Sequence, residues 1–200
     1  MNNSKTKYVL ESGNISSHPK LRKQFHTELV KGLNDEPSFL ICAFAKLRES
    51  WEETYKHYSE LIKDDVPRSV KLRFTLAVPQ TFEQQCKEAD VIYIGGGDDH
   101  LVQYWMKQFD LPAIFRNKVI ASNSAGTNML VQSFWTCDWR ECMDGLGILP
   151  IKFIAHYLSD YGKDEPKGQI DWQKAYDDLQ GYGDSSLPIH ALKEGEFIVI

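Results

Sequence analysis

Residues 119–130 read VIASNSAGTNML and decide the fold of this 200-residue chain. The stretch begins with an apolar, β-branched run, which predicts a buried strand, and continues into a sequence that favours a helix. Only two or three residues, around Ser124, separate the predicted strand from the predicted helix. Such a short link is typical of a sheet in which a helix follows each strand. We therefore expect Ser124 on a sharp turn, with its hydroxyl at the amino end of the helix.

The same alternation of strands and helices extends along the rest of the chain. The predicted strands are 8–10, 38–45, 71–78, 89–94, 118–122, 189–192 and 197–200, of which the last two are expected to form a closing pair. The predicted helices cover 17–33, 50–63, a short stretch after residue 81, 98–109 and 171–179. Ser50 with Glu53, and Thr81 with Gln84, have the spacing of capping boxes. The pattern predicts one α/β domain, residues 1–200, with a parallel sheet between helices on both faces.

Composition and charge indicate which classes of binding partner, such as membranes and nucleic acids, the protein is not expected to have. With 42% hydrophobic and 26% charged residues, the chain is too apolar to be disordered. It has no apolar stretch of the roughly 18 residues needed to cross a bilayer, and its start lacks the apolar run of a secretory signal. The net charge of -5 argues against nucleic acid as a partner. We expect a cytoplasmic protein without membrane or nucleic-acid partners.

The four cysteines do not predict a disulfide framework or a metal site. Cys42 lies in an apolar run and is expected to be a small core residue. Cys137 and Cys142 are separated by a spacing that matches no zinc motif. We therefore expect neither a metal nor a cofactor.

Residues 122–126, SNSAG, are similar to the nucleophile elbow of serine hydrolases, usually written G-x-S-x-G. Small residues on both sides of the nucleophile keep this strained turn free of clashes. Ser122 stands in the place of the first glycine and is still small. The pattern predicts Ser124 as a nucleophile.

Three glycines, 95–97, follow the predicted strand 89–94. Ligand sites of open parallel sheets lie at the carboxyl ends of strands, so this loop and the Ser124 turn are expected to be close. In acyl transfer, the N–H groups of Gly97 and Ala125 would hold the developing oxyanion. The alternatives are a tight strand-to-helix turn or a phosphate-binding loop, although the spacing matches neither G-x-G-x-x-G nor a Walker loop.

A serine nucleophile needs a base, and six histidines are candidates. Three of them have polar neighbours on predicted helices or helix ends and are expected at the surface. These are His18, His26 and His57. His100 follows the glycine loop, and His190 lies in an apolar run. His156 is the best placed by chain order, but the residues alone leave the choice open.

Two segments carry a resemblance to a known family. Residues 95–105, GGGDDHLVQYW, and 124–130, SAGTNML, followed by a histidine in an apolar context, resemble peptidase E, the aspartyl dipeptidases of the S51 serine peptidase family. Residues 44–62 and 192–200 also match, so the resemblance covers about 39–200. It implies a fold like that of class I glutamine amidotransferases, a three-layer α/β/α sandwich around a mainly parallel sheet. Those amidotransferases use cysteine at the elbow, so the serine here argues against glutaminase activity.

The resemblance also implies roles for individual residues. Ser124 would be the nucleophile, His156 the general base, and Glu194 the acid that orients the imidazole. Asp138 matches a further acidic residue of the family. It is the second choice for the orienting acid, or a group that binds substrate. From its surroundings alone, Glu194 would be interpreted as a solvated turn residue beside Gly195.

The family's preference for an N-terminal aspartate implies a cationic group in the substrate site. Arg48 and Arg140 are the candidates, because a guanidinium pairs with both oxygens of a carboxylate. Asp98 stands where peptidase E has an asparagine or a similar residue. Cyanophycinase, a relative that cleaves β-aspartyl arginine polymers, also has an aspartate there. Asp98 is therefore a further candidate for contact with substrate.

These observations predict a serine peptidase that hydrolyses short peptides, with an N-terminal aspartate preferred, through an acyl-enzyme. A small peptide is the expected partner, and both a monomer and a homodimer remain open. A first alternative is an inactive relative that binds a small molecule or a protein, which the missing first glycine and the paired aspartates favour. A second alternative is a cyanophycinase-like hydrolase, an esterase or an amidase with a different pocket.

Overall fold

The computed structural model describes residues 5–164 and 166–200, so residues 1–4 and 165 of the predicted domain 1–200 lie outside this description. The strands are β1 (Lys7–Glu11), β2 (Ser38–Cys42), β3 (Arg73–Leu76), β4 (Val91–Ile94), β5 (Val119–Asn123), β6 (Val131–Thr136), β7 (Glu141–Asp144), β8 (Leu149–Ile154), β9 (Ile189–Ala191) and β10 (Phe197–Val199). The helices are α1 (Pro19–Val30), α2 (Trp51–Asp65), α3 (Phe82–Glu88), α4 (Asp99–Met106), α5 (Leu111–Ile114), α6 (Ala125–Leu130) and α7 (Trp172–Gly181).

The main sheet has the strand order β10-β1-β5-β4-β2-β3. Its strands pair in parallel, except for β10, which pairs antiparallel to β1. Alternate residues of a strand point to opposite faces. Ile120 of β5 packs in one core cluster with Val102 of α4, whereas Ala121 packs in another with Phe25 of α1 and Ile62 of α2. Helices therefore cover both faces, as a three-layer α/β/α fold requires.

A second, smaller sheet has the order β7-β6-β8-β9 and was not predicted. Phe134 of β6 and Phe153 of β8 belong to the same core cluster as residues of α4 and α6, so this sheet packs on the main domain. Trp135 and Ile154 alternate with them and pack with α7. The alternation of apolar residues along β6 and β8 thus connects the main core to the outer helix.

The prediction that the last two strands, 189–192 and 197–200, form a pair is wrong, although both segments are strands. β9 pairs in parallel with β8 in the second sheet, whereas β10 pairs antiparallel with β1 in the main sheet. The two short strands are separated by a tight turn at residues 192–196. At this turn the chain passes from the second sheet to the main sheet. β9 adds to the second sheet beside β8, and β10 adds to the main sheet beside β1.

The predicted capping boxes are also wrong. Ser50 and Thr81 do precede α2 and α3, but their side chains form no capping hydrogen bond to a described residue. Aspartates cap other helices instead. Asp98 accepts from the N–H of Leu101 at the start of α4, and Asp171 does the same at the start of α7. A carboxylate at this place also interacts favourably with the helix dipole.

His26 lies in the core, so the expectation that it is a surface residue is wrong. It is 0% exposed and follows Phe25 on the buried face of α1. Its Nδ1 lies 2.7 Å from Oδ2 of Asp65 at the end of α2, and Arg22 Nε donates to the same oxygen at 2.7 Å. Burial of the imidazole is possible because this carboxylate provides a partner. His18 is half-buried and His57 is exposed.

Cys42 is a buried residue of the core cluster that packs one face of the main sheet. All four cysteines are free thiols, and Cys86 and Cys137 are buried as well. Within residues 5–164 and 166–200, no three His, Cys, Asp or Glu side chains are arranged to hold a metal ion. No helix in the same ranges is long and apolar enough to cross a membrane.

Candidate active site

The turn between β5 and α6 consists of Ser124 alone. β5 ends at Asn123 and α6 begins at Ala125. Ser124 has φ 46° and ψ -113°, a region that residues other than glycine rarely adopt. Its N–H donates to the carbonyl of Glu11 at 3.1 Å, and its own carbonyl accepts from the N–H of Thr127 at 2.7 Å. The surrounding backbone therefore holds this strained residue in place.

Glycines allow the close packing around this turn. A Cβ at Gly126 would lie 2.4 Å from the carbonyl oxygen of Ile94. A Cβ at Gly96 would lie 3.1 Å from Cβ of Ser124, which puts the glycine loop directly against the turn. Ser122, in place of the first glycine of the elbow pattern, is buried and shares a 2.8 Å hydrogen bond with the hydroxyl of Thr127. A serine therefore fits here because its hydroxyl has a buried partner.

His156 lies just after β8 and faces the Ser124 turn. Its Nε2 lies 3.2 Å from Oγ of Ser124, and its backbone N–H donates to Oγ of Ser12 at 2.7 Å. The ring of Tyr161 covers it, with 4.3 Å between ring centroids. Gly13 contacts the imidazole closely, since a Cβ there would lie 2.2 Å from Cε1 of His156. Packing and a backbone hydrogen bond thus fix the position of the imidazole.

Glu194 lies on the turn between β9 and β10. Its Oε1 is 2.9 Å from Nδ1 of His156, and its Oε2 accepts from Nδ2 of Asn14 at 2.7 Å. The hydrogen bonds from His156 and Asn14 hold the pKa of Glu194 below its ordinary value, although partial burial opposes them. An ionised Glu194 fixes the proton on Nδ1, which leaves Nε2 as the acceptor for the Ser124 hydroxyl. The three side chains form one hydrogen-bonded chain.

The glycine loop connects β4 to α4. Gly97 has φ 148°, and a Cβ there would lie 2.3 Å from the carbonyl oxygen of Ala45. The next N–H, from Asp98, donates to that same carbonyl at 2.8 Å. Only glycine fits this position. At the turn itself, Ala125 is the first residue of α6, so its N–H is among those that have no acceptor within the helix.

Two carboxylates line the recess that Ser124 and His156 share. Asp99 is buried and accepts from Asn128 at 2.9 Å and from the hydroxyl of Thr136 at 2.7 Å. Burial raises the pKa of Asp99, and the two hydrogen bonds oppose this effect. Asp138 accepts from the hydroxyl of Tyr161 at 2.7 Å. The described wall of the recess is therefore acidic.

The sequence model of Peptidase family S51 matches residues 9–200. The chain belongs to this family. The resemblance to S51 enzymes is thereby confirmed, and the protein is a peptidase.

Two solved structures share the fold of this S51 peptidase. A crystal structure of a peptidase from an acI-B1 Actinobacterium aligns with a TM-score of 0.66 and 19% identity, covering 100% of this chain and 85% of that chain. A putative peptidase E protein from Listeria monocytogenes EGD-e aligns with a TM-score of 0.66 and 15% identity, covering 98% and 94%. Together with the layers described above, these similarities confirm the predicted fold class. No curated protein sequence matches the chain significantly.

Three predicted substrate contacts of the S51 peptidase are not among the described residues that line the recess with Ser124. The carboxylate of Asp98 caps α4. Arg48 is exposed, pairs with Glu52 at 2.8 Å and lies over a tryptophan ring. Arg140 donates to the carbonyl of Gly168 at 2.8 Å. Neither arginine is among the described residues that line the recess with Ser124.

Asp138 lines the recess, but it is Glu194 whose carboxylate contacts the imidazole. Sequence analysis missed the contacts of the S51 peptidase made by Glu11, Ser12 and Gly13. Their position directly after the predicted strand 8–10 was a usable signal, because that strand ends at the same edge of the sheet as β5. Tyr161 gave no signal, since nothing in its local sequence relates it to the base.

Proposed function

We propose that this S51 peptidase hydrolyses short peptides through an acyl-enzyme on Ser124. In the proposal, His156 is the general base and Glu194 orients it. The observation that carries the proposal is the hydrogen-bonded chain, with 3.2 Å between Ser124 Oγ and His156 Nε2 and 2.9 Å between His156 Nδ1 and Glu194 Oε1. Both distances are within the reach that proton transfer requires.

In the acylation step, His156 Nε2 takes the proton of the Ser124 hydroxyl while Oγ attacks the carbonyl carbon of the scissile bond. The N–H groups of Ala125 and Gly97 donate hydrogen bonds to the carbonyl oxygen and stabilise the negative charge that forms on it. His156 then gives its proton to the leaving amine as the C–N bond breaks. In deacylation, water gives a proton to His156 as its oxygen attacks the ester carbon. The bond from that carbon to Oγ then breaks, His156 returns the proton to Oγ, and the acid is released.

The acidic recess supports a substrate with a free amino terminus. Asp138 and Asp99 face the space beside Ser124, and a carboxylate attracts an ammonium group strongly where water is partly excluded. We propose that Asp138 binds the α-ammonium group of the substrate. The preference for an N-terminal aspartate carries over from peptidase E, while neither Arg48 nor Arg140 supports it by position.

The features that favoured an inactive relative have structural explanations. Asp98 caps α4, and Asp99 accepts from two buried side chains. Ser122 is hydrogen-bonded within the core. These departures from the family pattern therefore have roles in the packing of the fold, and they do not by themselves favour a loss of catalysis.

A fluorophosphonate probe tests the nucleophile. We expect mass spectrometry to find the probe on Ser124, and Ser124→Ala to abolish both labelling and cleavage of Asp-X dipeptides. Ser186→Ala, the same substitution at an exposed serine, should retain both. Labelling absent from the folded wild-type protein, or dipeptide cleavage that survives Ser124→Ala, would contradict the proposal. Comparison of Asp-X, Lys-X and N-acetylated Asp-X peptides then tests the substrate: acetylation should abolish cleavage if the ammonium group is bound.

A further inference from the structure

Glu11, the last residue of β1, is a fully buried acid close to Ser124, His156 and Glu194. Its side chain is 0% exposed. Its Oε1 accepts from the N–H of Gly13 at 2.7 Å, and its Oε2 accepts from Nδ2 of Asn123. The N–H of Gly195 also lies near the carboxylate and favours its ionised form. The partners of this acid are therefore amides, rather than the cation that usually accompanies a buried carboxylate.

Each of these partners adjoins one member of the proposed triad. Asn123 immediately precedes Ser124, and Gly195 immediately follows Glu194. Gly13 packs on the imidazole of His156, and its carbonyl also accepts from the N–H of Gly195 at 2.9 Å. The carboxylate thus contacts the segment before Ser124 and the Gly13 segment directly, and it is connected to the Glu194 turn through Gly13.

The backbone of Glu11 adds to the same connection. Its carbonyl accepts from the N–H of Ser124 at 3.1 Å and from the hydroxyl of Thr127 at 2.9 Å. Ser124 has a positive φ, so these contacts hold a strained residue. Both the main chain and the side chain of Glu11 therefore support the turn of the nucleophile.

Stability alone does not account for an acid at this position. Burial raises the pKa of Glu11, but Gly13 and Asn123 each direct an N–H at one of its oxygens, an arrangement that favours the ionised form. A neutral side chain of similar size would avoid the penalty of removing a carboxylate from water. Acids with strongly shifted pKa values that lie beside a cleft are frequent at functional sites.

We propose that Glu11 is a positioning residue for catalysis. Its carboxylate fixes the positions of the Ser124 turn and the Gly13 segment and, through Gly13, the position of the Glu194 turn. The proposal rests on the proposed function, because it concerns the same three reacting side chains. Glu11 does not touch the substrate. It acts through Asn123 and Gly13, which set the distance between Ser124 Oγ and His156 Nε2.

The size of the expected loss of rate depends on how far the catalytic groups are displaced. Displacement of a catalytic group by about 1 Å lowers the rate by up to about 100-fold. In Glu11→Gln, an amide NH2 replaces one oxygen and faces the N–H of Gly13 or the NH2 of Asn123, so one of the two contacts is lost. The Gly13 segment or the Ser124 turn then moves, while the other walls of the recess, such as Thr136 and Asp138, keep their positions.

The test compares Glu11→Gln with Asp65→Asn by fluorophosphonate labelling. Asp65 is a buried acid that joins α1 to α2 through Arg22 and His26, so its amide variant controls for the loss of a buried carboxylate. For each folded variant we measure the labelling rate at saturating probe, the probe concentration at half-saturation, and the Tm.

We expect Glu11→Gln to label about 10-fold to 100-fold more slowly than wild type at saturation. Its half-saturating concentration should stay within about twofold, because the contacts of the recess remain. Asp65→Asn should label at the wild-type rate despite a lowered Tm. A wild-type rate in Glu11→Gln overturns the proposal, and so does an equal loss of rate in both variants, since that would be an effect of stability.

If Glu11→Gln does not fold, Asn123→Ala replaces it, because it removes one donor and leaves the acid in place. The same slow labelling is expected, and a wild-type rate overturns the proposal. If wild type itself is not labelled, the proposed function fails, and NMR of the imidazole decides the positioning role separately. The Cε1–H resonance of His156, assigned with His156→Ala, should move in the Glu11 or Asn123 variant and stay in Asp65→Asn. An unmoved resonance overturns the proposal.

Discussion

At the scale of residues, the backbone conformations of Ser124 and His156 are the most unusual local features of the site. Ser124 has φ 46° and His156 has φ 55°. Such conformations cost on the order of 1–3 kcal/mol each and persist only where the surroundings hold them. The carbonyl of Glu11 holds the first, and the hydroxyl of Ser12 holds the second. The end of β1 therefore sets the relative position of the nucleophile and the base.

We predict that Glu194→Gln lowers kcat by about 100-fold to 10,000-fold with little change in stability. The amide cannot stabilise the imidazolium that forms during acylation, and it can favour the wrong tautomer of His156. Steady-state cleavage of the peptide substrate measures the effect. The control is Glu196→Gln, an exposed glutamate on the same turn that accepts from the N–H of Lys193. If Glu194→Gln keeps its kcat within about twofold of Glu196→Gln, Glu194 has no role in catalysis.

The sequence was informative about Ser124 and much less so about its partners. The conformation of a serine between a buried strand and a helix can be predicted from the sequence, because so few residues connect the two elements that the turn must be sharp. His156 follows Ser124 by 32 residues, and Glu194 follows His156 by a further 38. Contacts over such separations depend on the whole fold, so only the resemblance to S51 enzymes selected these two residues. Arg48 and Arg140 were chosen by residue type, and their local partners place them elsewhere.

At the scale of elements, α1 and α2 are joined by a buried polar cluster. Arg22 and His26 both contact the carboxylate of Asp65. Burial lowers the pKa of His26 to about 4, so the imidazole is neutral at pH 7 and is hydrogen-bonded to Asp65 rather than ion-paired. Burial opposes ionisation of Asp65 as well, but the hydrogen bonds from Arg22 and His26 bring its pKa below the ordinary value.

We predict that this cluster makes the protein less stable as the pH falls from 6.5 to 4. In that window the unfolded chain binds a proton on His26, whose ordinary pKa is 6.5, and the folded chain does not. Urea unfolding at pH 4.5 and pH 7 should show a smaller loss in His26→Gln than in wild type, by on the order of 2 kcal/mol. His57→Gln, at an exposed histidine, should retain the wild-type loss. Equal losses in His26→Gln and wild type would show that His26 is not the responsible group.

Most elements of the main sheet were predictable, because its central strands, such as β2 and β4, are mainly apolar and buried on both faces. The second sheet was not, since β6 follows α6 directly and has no turn residues before it. The alternation of Phe134 with Trp135 indicates a strand, but not which sheet it joins. His26 was misplaced for a related reason. Its polar neighbours in sequence suggest a surface, whereas its partner Asp65 lies on another helix.

At the scale of the whole molecule, the proposed triad spans both sheets. Ser124 ends a strand of the main sheet, His156 follows β8 of the second sheet, and Glu194 lies on the turn between β9 and β10. The packing of one sheet against the other therefore sets the 3.2 Å between Ser124 Oγ and His156 Nε2. Phe153 of β8 is fully buried in the core cluster that the sheets share.

We predict that Phe153→Leu lowers kcat about fivefold or more, because it lets β8 and His156 shift relative to Ser124. The matched control is Phe39→Leu, at a phenylalanine that is 1% exposed and packs on the other face of the main sheet. Both variants should lose roughly 1–2 kcal/mol of unfolding free energy. Peptide cleavage and urea unfolding measure the two effects. Equal kcat values in the two variants would mean that packing between the sheets does not control the site.

The position of Glu194 on the link between the two sheets has a consequence for synthesis on the ribosome. The nucleophile leaves the ribosome first, the base after it, and the acid only once β9 has been made. In the folded protein, the strand that follows Glu194, β10, pairs with β1, the first strand of the chain that the structure describes. Under the proposed function, a nascent chain that lacks the residues after β9 therefore carries an incomplete triad and is not yet an active peptidase.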